Sequence, residues 1–563
     1  MYLEKIRNKI NKILNQKYNN KLELKQSNKF LDIDFYLPLF EYHQKTEKSI
    51  EIIFQEIKQN LILIKEIKNI FLEKFFLNIQ LNKSLISKKI LYNVLSLENK
   101  YGQKKNNNKI IVLDYSSPNI AKNFSIGHLR STVIGNALKN IYKKLGFKTI
   151  SINYLGDWGM QFAKMILAYK KWGNKEVILR NPISELQKIY ILFHEKEKEN
   201  SYLKEEARTI FKKLENKDKD EIKLWKWFKQ ISLKEFHKIY KLLNISFDHI
   251  TGESFFHKKA IQIVNLLKKK GLIVLDQDAY IMPLEENTPP ALIQKKNGSY
   301  LYLTREIACV LYRYKKFKFN KILYVVGNEQ KLHFQQLNQI FKKMGYNLIL
   351  ENINFGLILA NNKKISTRKN NEYNLLDIIQ QTQKKIKKKI QKKNIKLKEF
   401  QKISEKIAIG AIIFNDLKND RHLDIDFNLD NMLKFEGNTG PYLQYTVVRF
   451  NSIIKKNTQQ KKIIQYNWDK IIYYFEKSHY FQLIKIIDQF TYILEQSQKK
   501  NMPSILARYL LQLAKNANSF YAKEKILVQD PILKDANFLL IKALFIILKE
   551  GLNILGIPIL EKM

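Results

Sequence analysis

Gly127 and His128 stand together in a pattern suited to binding a phosphate-bearing ligand. A glycine lets a nucleotide approach the backbone closely, and an imidazole N–H can donate to phosphate oxygens. Both precede a run in which Leu129, Val133, Ile134, Leu138, Ile141, Tyr142 and Leu145 recur at helical spacing, with Gly146 closing the helix. A helix that starts here aims free backbone N–H groups and the positive end of its dipole at an anion. Stepping outward, Ile110–Leu113 is a short β-branched run that reads as a buried strand, and Ser116, Ser117, Pro118 and Asn119 form a turn after it. Thr149–Tyr154 reads as a second strand. Strand, glycine-bearing loop, helix and strand make a βαβ unit whose helix start faces the crevice at the strand ends. This pattern leaves two alternatives open: a crossover with nothing bound, and a histidine that only caps or packs the helix.

The bulk numbers bound the remaining choices. The 563 residues suffice for two to four domains, and 45% hydrophobic content marks a globular chain. No run of about 18 uncharged apolar residues occurs, so no membrane span is expected. The opening MYLEKIRNKINKIL lacks a signal-peptide apolar region. Cys309 is the only cysteine, which excludes a disulfide framework and a multi-cysteine zinc site and fits a reducing compartment. The net charge of +46 invites a nucleic-acid reading, but only ten of the 99 basic residues are arginine. Lysine spread over every solvated face adds little to that reading.

Along the chain, Leu3, Ile6, Ile10 and Ile13 mark an amphipathic helix, and Leu31, Ile33, Phe35 and Leu37 alternate as in a half-buried strand. Residues 99–109 are polar and low in complexity, a linker by composition. Residues 164–267 read as mostly helical, with Trp225, Trp227, Phe228, Phe236, Tyr240, Leu243 and Phe247 as core. From Ile273 short β-rich pieces return, in 273–284, 299–314 and 321–337, as the second half of a split nucleotide-binding fold with helices between strands. Residues 384–398 read as a lysine-rich helix, 405–414 have helical spacing, and nearly every segment after 435 is helix-like.

Three ordered blocks narrow the reading. They are Ser117-Pro118-Asn119-x-Ala121-Lys122, Ser125-Ile126-Gly127-His128-Leu129-Arg130-Ser131-Thr132, and Gly156-Asp157-Trp158-Gly159-x-Gln161-Phe162. Together they closely resemble arginyl-tRNA synthetases, which are class I aminoacyl-tRNA synthetases, with the "HIGH" signature standing here as Ser125–His128. The second signature, usually KMSKS, stands as Lys364-Ile365-Ser366-Thr367-Arg368, and Phe435–Tyr445 and the C-terminus resemble the family's anticodon-binding domain. The resemblance covers residues 110–563 well and 1–100 loosely. It implies an α/β Rossmann-like class I catalytic domain at 110–435, containing a helical insertion. A small α/β N-terminal domain that contacts tRNA would occupy 1–100, and an all-α anticodon-binding domain 436–563.

The implied reaction joins ATP and L-arginine into arginyl-adenylate, releases pyrophosphate, and passes the arginyl group to the 3′ end of tRNA(Arg). Mg2+ would accompany ATP, held by phosphates and water. The resemblance implies that Lys122, Ser125, Gly127, His128, Lys364, Ser366 and Arg368 form the ATP site. Lys122 would replace the charge lost at Thr367, with Lys369 in support. Tyr302 and Glu306, in Tyr-Leu-Thr-Arg-Glu, and Gln330 would read the arginine side chain, since a carboxylate meets the guanidinium fork bidentately. Asp114 and Asn119, with Pro118 in the same block, would hold the amino-acid ends. Glu253, in a Gly-Glu-Ser turn, would help form the pocket, a plain loop carboxylate being the alternative. Tyr442, Tyr445, Arg449 and Asn451 are anticodon candidates by proximity to the family block. Family habit implies a cytoplasmic monomer. Three positions depart from the family: Ser125 for the first histidine, Glu306 for aspartate, and Asn370 for glycine. They leave two rivals: a non-catalytic tRNA-binding relative, and another class I synthetase. A cysteinyl-type enzyme would need zinc ligands that one cysteine cannot provide.

Overall fold

In the computed structural model, residues 1–18, 24–26, 33–285, 287–296, 298–360, 363–364, 375–390, 397–457 and 462–562 are described. Five strands, Ile110–Asp114 (β1), Lys148–Leu155 (β2), His249–Gly252 (β3), Lys321–Gly327 (β4) and Leu350–Phe355 (β5), pair in parallel. Their order is β5-β4-β1-β2-β3. Strand side chains alternate between faces. Accordingly Ile111, Leu113, Leu323 and Val325 join the core on one side, while Val112, Ile322 and Tyr324 join that on the other. The chain runs outward in opposite directions from β1 and β4, so a crevice opens beyond their carboxyl ends.

Helix Ile126–Lys144 (α1) crosses from β1 to β2 with most of its residues buried. Five helices between Met160 and Leu242 form the insertion, ending in Lys219–Leu242 (α2). Trp225, Phe228, Phe236, Tyr240 and Leu243 are buried there, with Trp227 and Phe247 packed against the same core, as their spacing leads one to expect. Helices Glu253–Lys269 (α3) and Tyr302–Phe317 (α4) lie between β3 and β4, and Lys331–Lys343 (α5) links β4 to β5.

The β-rich expectation for 273–314 needs two corrections. Val274–Asp276, Ala279–Met282 and Ala291–Gln294 form a separate antiparallel sheet and do not extend the parallel one. Residues 302–314 belong to α4, because Leu303, Ile307 and Val310 with Glu306 and Arg313 place a continuous stripe on one buried helical face.

Beyond β5, Ile358–Ala360 (β6) pairs antiparallel with Lys363–Lys364 (β7) and in parallel with Ile425–Asp426 (β8). Helix Leu397–Leu417 (α6) leads to the C-terminal bundle, whose main helices are Gly440–Lys456 (α7), Pro503–Lys523 (α8) and Pro531–Leu555 (α9). Residues 384–390 lie at the end of helix Leu375–Ile390, and 391–396 are outside the described residues.

At the N-terminus, a four-stranded antiparallel sheet packs with helices Tyr2–Tyr18, Ile50–Leu61 and Lys83–Leu97. Phe35–Pro38 is one of its strands, while Leu31 lies outside the described residues. The first helix starts on the C-terminal bundle: the buried Asp488 carboxylate accepts the N–H groups of Tyr2 at 2.7 Å and Leu3 at 2.9 Å. Residues 99–109 connect this domain to β1, tied down by Lys104 N–H to Lys144 O and Asn107 N–H to Gly146 O at the end of α1.

Candidate active site at the carboxyl ends of the central strands

The loop leaving β1 holds three non-glycine residues in left-handed conformation, Ser116 (φ 76°), Ser117 (φ 45°) and Ala121 (φ 59°). Each costs roughly 1–3 kcal/mol and persists only where the surroundings over-determine it. They do so here. Ser116 N–H donates to Ser131 Oγ, Ser117 N–H to Asn153 Oδ1 and Ala121 N–H to Ser232 Oγ, at 2.9–3.1 Å. Pro118 is buried and its carbonyl accepts Gly156 N–H at 3.2 Å. A Cβ on Gly156 would lie 1.9 Å from Asn119 Oδ1, so only glycine lets the two segments approach.

This loop delivers the chain to the start of α1. Ser125 caps the helix, and its N–H donates to His128 Nδ1 at 3.2 Å. An Nδ1 that accepts leaves the ring proton on Nε2, which has no hydrogen-bond partner among the described residues. Burial, aided by Lys122, pushes His128 down to about 4, so the ring is neutral and presents an Nε2–H donor. The Ser125 hydroxyl lies 3.0 Å from the same Nδ1 and so engages its own histidine. Gly127 is exposed, and a Cβ there would meet only Ser125 Oγ at 3.5 Å. Lys122 is half-buried, its ammonium 6.0 Å from the centre of the Tyr190 ring.

The described chain on either side of the second signature contacts α1 and the loop before it. Upstream, Arg130 of α1 binds the carbonyl of Gly356; downstream, Leu375 N–H donates to Phe124 O at 3.1 Å. Lys364 lies in β7, whereas Ser366 and Arg368, with Thr367, Lys369 and Asn370, fall outside the described residues.

Across the crevice, α4 carries Tyr302, Glu306 and Arg313 near one face. Glu306 is 1% exposed, with the Tyr324 hydroxyl as its hydrogen-bonding neighbour and no ion pair within 4 Å among the described residues. Two neighbouring acids are already matched. Asp114 pairs with Arg313 at 2.6 Å and accepts from Ser117 Oγ at 3.1 Å; Glu253 pairs with Arg305 at 3.1 Å. Glu306 is thus the acid of the cluster that has no ion pair of its own among the described residues. Burial, opposed by Arg313 and reinforced by Asp114, raises it to about 7; burial opposed by Arg305 raises Glu253 to about 7.

The Tyr302 ring packs tilted at 44° against His333, centroids 4.9 Å apart; burial pushes His333 down to about 4, and its Nε2 is buried without a partner among the described residues. Gln330 ends the short turn leading from β4 into the helix that bears His333, and is half-buried. Glu253 is aimed by Asp157, whose buried carboxylate accepts Ser254 N–H at 2.9 Å and pairs with Lys229 of α2 at 2.6 Å.

Asp114 therefore anchors Arg313 and has both oxygens engaged, which leaves less of it for the amino-acid end than its motif suggested. Arg313, Tyr324 and Asp157 are the site residues that the sequence reading passed over. The helical interval from Tyr302 through Glu306 to Arg313 was the available signal for Arg313 and the Gly156–Phe162 block that for Asp157, while Tyr324, whose hydroxyl accepts from Arg313 at 3.4 Å, left none.

In the helical bundle, Arg449 lies between the rings of Tyr445 (4.7 Å) and Tyr521 (5.2 Å) and donates to Asn518 Oδ1 at 3.1 Å. Tyr442 OH accepts from Asn518, and Asn451 donates to Glu561 O. No group of three or more His, Cys, Asp or Glu among the described residues is arranged to hold a metal, and no helix there is long and apolar enough to cross a membrane.

Comparison with known proteins agrees with this layout. Residues 90–429 match the class I (R) tRNA synthetase catalytic domain, and residues 443–563 match the DALR anticodon-binding domain. The chain is 39% identical over 562 residues to arginine–tRNA ligase 2 of Bacillus anthracis, covering 98% of this chain and 97% of that one. It is 42% identical over 496 residues to the arginine–tRNA ligase of an Exiguobacterium species, covering 87% and 86%. The crystal structure of Plasmodium falciparum arginyl-tRNA synthetase superposes with TM-score 0.77 at 25% identity, covering 100% of this chain and 99% of that one. The Thermus thermophilus arginyl-tRNA synthetase shares the fold, with TM-score 0.78 at 19% identity and full coverage of both chains. A parallel-sheet catalytic domain with the ordered motifs at its strand ends, followed by a DALR bundle, places the chain in the arginine–tRNA ligase family of class I aminoacyl-tRNA synthetases.

Proposed function

We propose that the crevice between α1 and α4 activates L-arginine with ATP, and that the buried Glu306 carboxylate, which has no ion pair of its own, receives the guanidinium. That carboxylate carries the reading. A buried acid without a cation is costly, and a guanidinium fork supplies two parallel charge-assisted bonds to it. The matched pairs beside it leave one negative charge for one cation. Tyr302, Gln330 and Asn119 line the approach, and Glu253 and Asp114 hold the two arginines that shape the pocket.

At the other end, the α1 start and the His128 Nε2–H meet the ATP phosphates, with Lys122, Lys364, Ser366 and Arg368 contributing charge and hydrogen bonds. Carboxylate attack at the α-phosphate then forms arginyl-adenylate and expels pyrophosphate, a displacement served by positioning and by fixed donors. Mg2+ enters with ATP, carried by phosphate oxygens and water. The arginyl group passes to the 3′ end of tRNA(Arg).

We place the domains at 1–100, 110–435 and 436–563. The N-terminal domain grips the tRNA, the Tyr445–Arg449–Tyr521 stack contacts the anticodon region, and the enzyme acts as a cytoplasmic monomer. Arginine-dependent ATP–pyrophosphate exchange in the presence of tRNA tests this reading. Glu306→Gln is expected to raise the KM for arginine about a hundredfold, with the KM for ATP nearly unchanged, the cost of losing one partner of a buried charge pair. Equal losses for both substrates, or exchange that ignores arginine, would contradict it.

A further inference from the structure

Arg130 lies one helical turn beyond the α1 start and is 1% exposed. A buried guanidinium has five donors to satisfy, and this one spends them on backbone. Nη1 donates to Gly356 O at 2.7 Å and Leu423 O at 2.9 Å, with Leu357 O at 3.4 Å; Nη2 donates to Arg421 O at 3.3 Å. Its charge is met by the buried Asp416 of α6, 3.2 Å from Nε. The carbonyls it gathers belong to the two chain segments that lead into β6 and β8. These strands pair side by side, and β6 pairs in turn with β7, which carries Lys364. Gly356 is where the segments meet most tightly: a Cβ there would lie 2.6 Å from Leu423 O and Asp424 Oδ1.

We propose that Arg130, held by Asp416, is a positioning residue for ATP activation, fixing the base of the Lys364 strand pair against the helix that carries His128. The inference rests on the ATP reading of the α1 start. Neither side chain touches substrate; their effect is on the distance between two groups that do. A shift of about 1 Å between such groups costs as much as a hundredfold. The fork geometry is required as well, because a lysine at 130 offers a single point charge to carbonyls that lie in several directions.

The test is steady-state ATP–pyrophosphate exchange with tRNA present, on the full-length enzyme and on Asp416→Asn and Arg130→Lys. For each variant the KM for ATP, the KM for arginine and kcat are measured separately. We expect the KM for ATP to rise at least about tenfold in both variants, the KM for arginine to change by less than about twofold, and Arg130→Lys to lose more kcat than Asp416→Asn. A second reading uses the wild-type protein alone, so a variant that fails to fold does not remove the test. The groups around Asp416 are Arg130 from α1, Arg421 from the following turn, and the uncharged Met502, Pro503 and Ser504 at the start of α8. Burial, opposed by Arg130, lifts Asp416 to about 6. Protonation then removes the charge that holds Arg130, and the KM for ATP should climb below about pH 6, about one unit lower than the arginine limb set by Glu306, and should keep that limb in Glu306→Gln. Equal changes in both KM values in Arg130→Lys or Asp416→Asn at fixed neutral pH, or a fall in active-enzyme concentration with both unchanged, would reduce Arg130 to a structural role and overturn the proposal, as would a flat ATP profile across pH 5–7. A wild-type enzyme without exchange would instead sink the ATP reading beneath it.

Discussion

If Glu306 receives the guanidinium as proposed, it sets the pH behaviour of arginine binding. Its carboxyl is raised from 4.5 to about 7, so between those values the folded protein holds a proton that the unfolded chain has lost. The unliganded protein therefore loses stability as pH rises through that window, by at most about 3 kcal/mol for this group. Arginine binds the ionised form and must displace the proton below pH 7. The expected outcome is an arginine KM that falls about tenfold per pH unit between pH 5 and 7 and flattens above it. Kinetics at saturating ATP check this, and Glu306→Gln should abolish the limb. Thermal denaturation of Glu306→Gln without arginine should show no loss of stability at pH 8, since the substitution removes a buried unpaired charge. The extra methylene relative to the family's aspartate is therefore compatible with a pocket that keeps its acid dry and alone.

The start of α1 separates the needs of folding from those of binding. A Cβ at Gly127 would make one ordinary contact, so nothing in the fold requires glycine there. Gly127→Ala is expected to keep or raise the melting temperature, by up to about 1 kcal/mol of helix propensity, while the KM for ATP rises. Unchanged ATP affinity would mean that no ligand approaches this backbone. The βαβ unit around α1 was readable from the sequence because its periodicities are local: Ile110–Leu113 and the stripe from Leu129 to Leu145 each declare themselves. Helix α4 did not, because Leu301, Leu303 and their tyrosine neighbours alternate over its first turn and imitate a strand. The pocket residues Tyr302, Glu306 and Gln330 were reached through motif order. Arg313 was missed because its acid lies about two hundred positions away, and Arg130 because its partners are mostly carbonyls, which leave no trace in residue types.

The N-terminal domain, α1 and the C-terminal bundle share one hydrophobic core, and polar contacts fix how they meet. Asp488 fastens the N-terminal helix to the C-terminal bundle by accepting two N–H groups at a helix start, where a carboxylate also suits the dipole. Asp488→Ala is expected to cost about 1–2 kcal/mol and to loosen the N-terminal domain. Limited proteolysis should then cut the exposed, lysine-bearing segment 99–109 faster than in wild type, and an unchanged rate would show that other contacts hold the domain. Helix α1 has the longest reach of any part of the site. Beyond its phosphate-facing start, Tyr142 OH donates to Asn501, Asn140 donates to Ile554 O, and Lys144 pairs with Glu550 at 2.8 Å, all in the helical bundle. Nineteen residues make a rod of about 28 Å. Pivoted at one end, such a lever moves its tip by about 1 Å for a tilt of about 2°, the scale at which catalytic geometry is won or lost. The helical bundle and the proposed phosphate site are thus joined by one stiff arm.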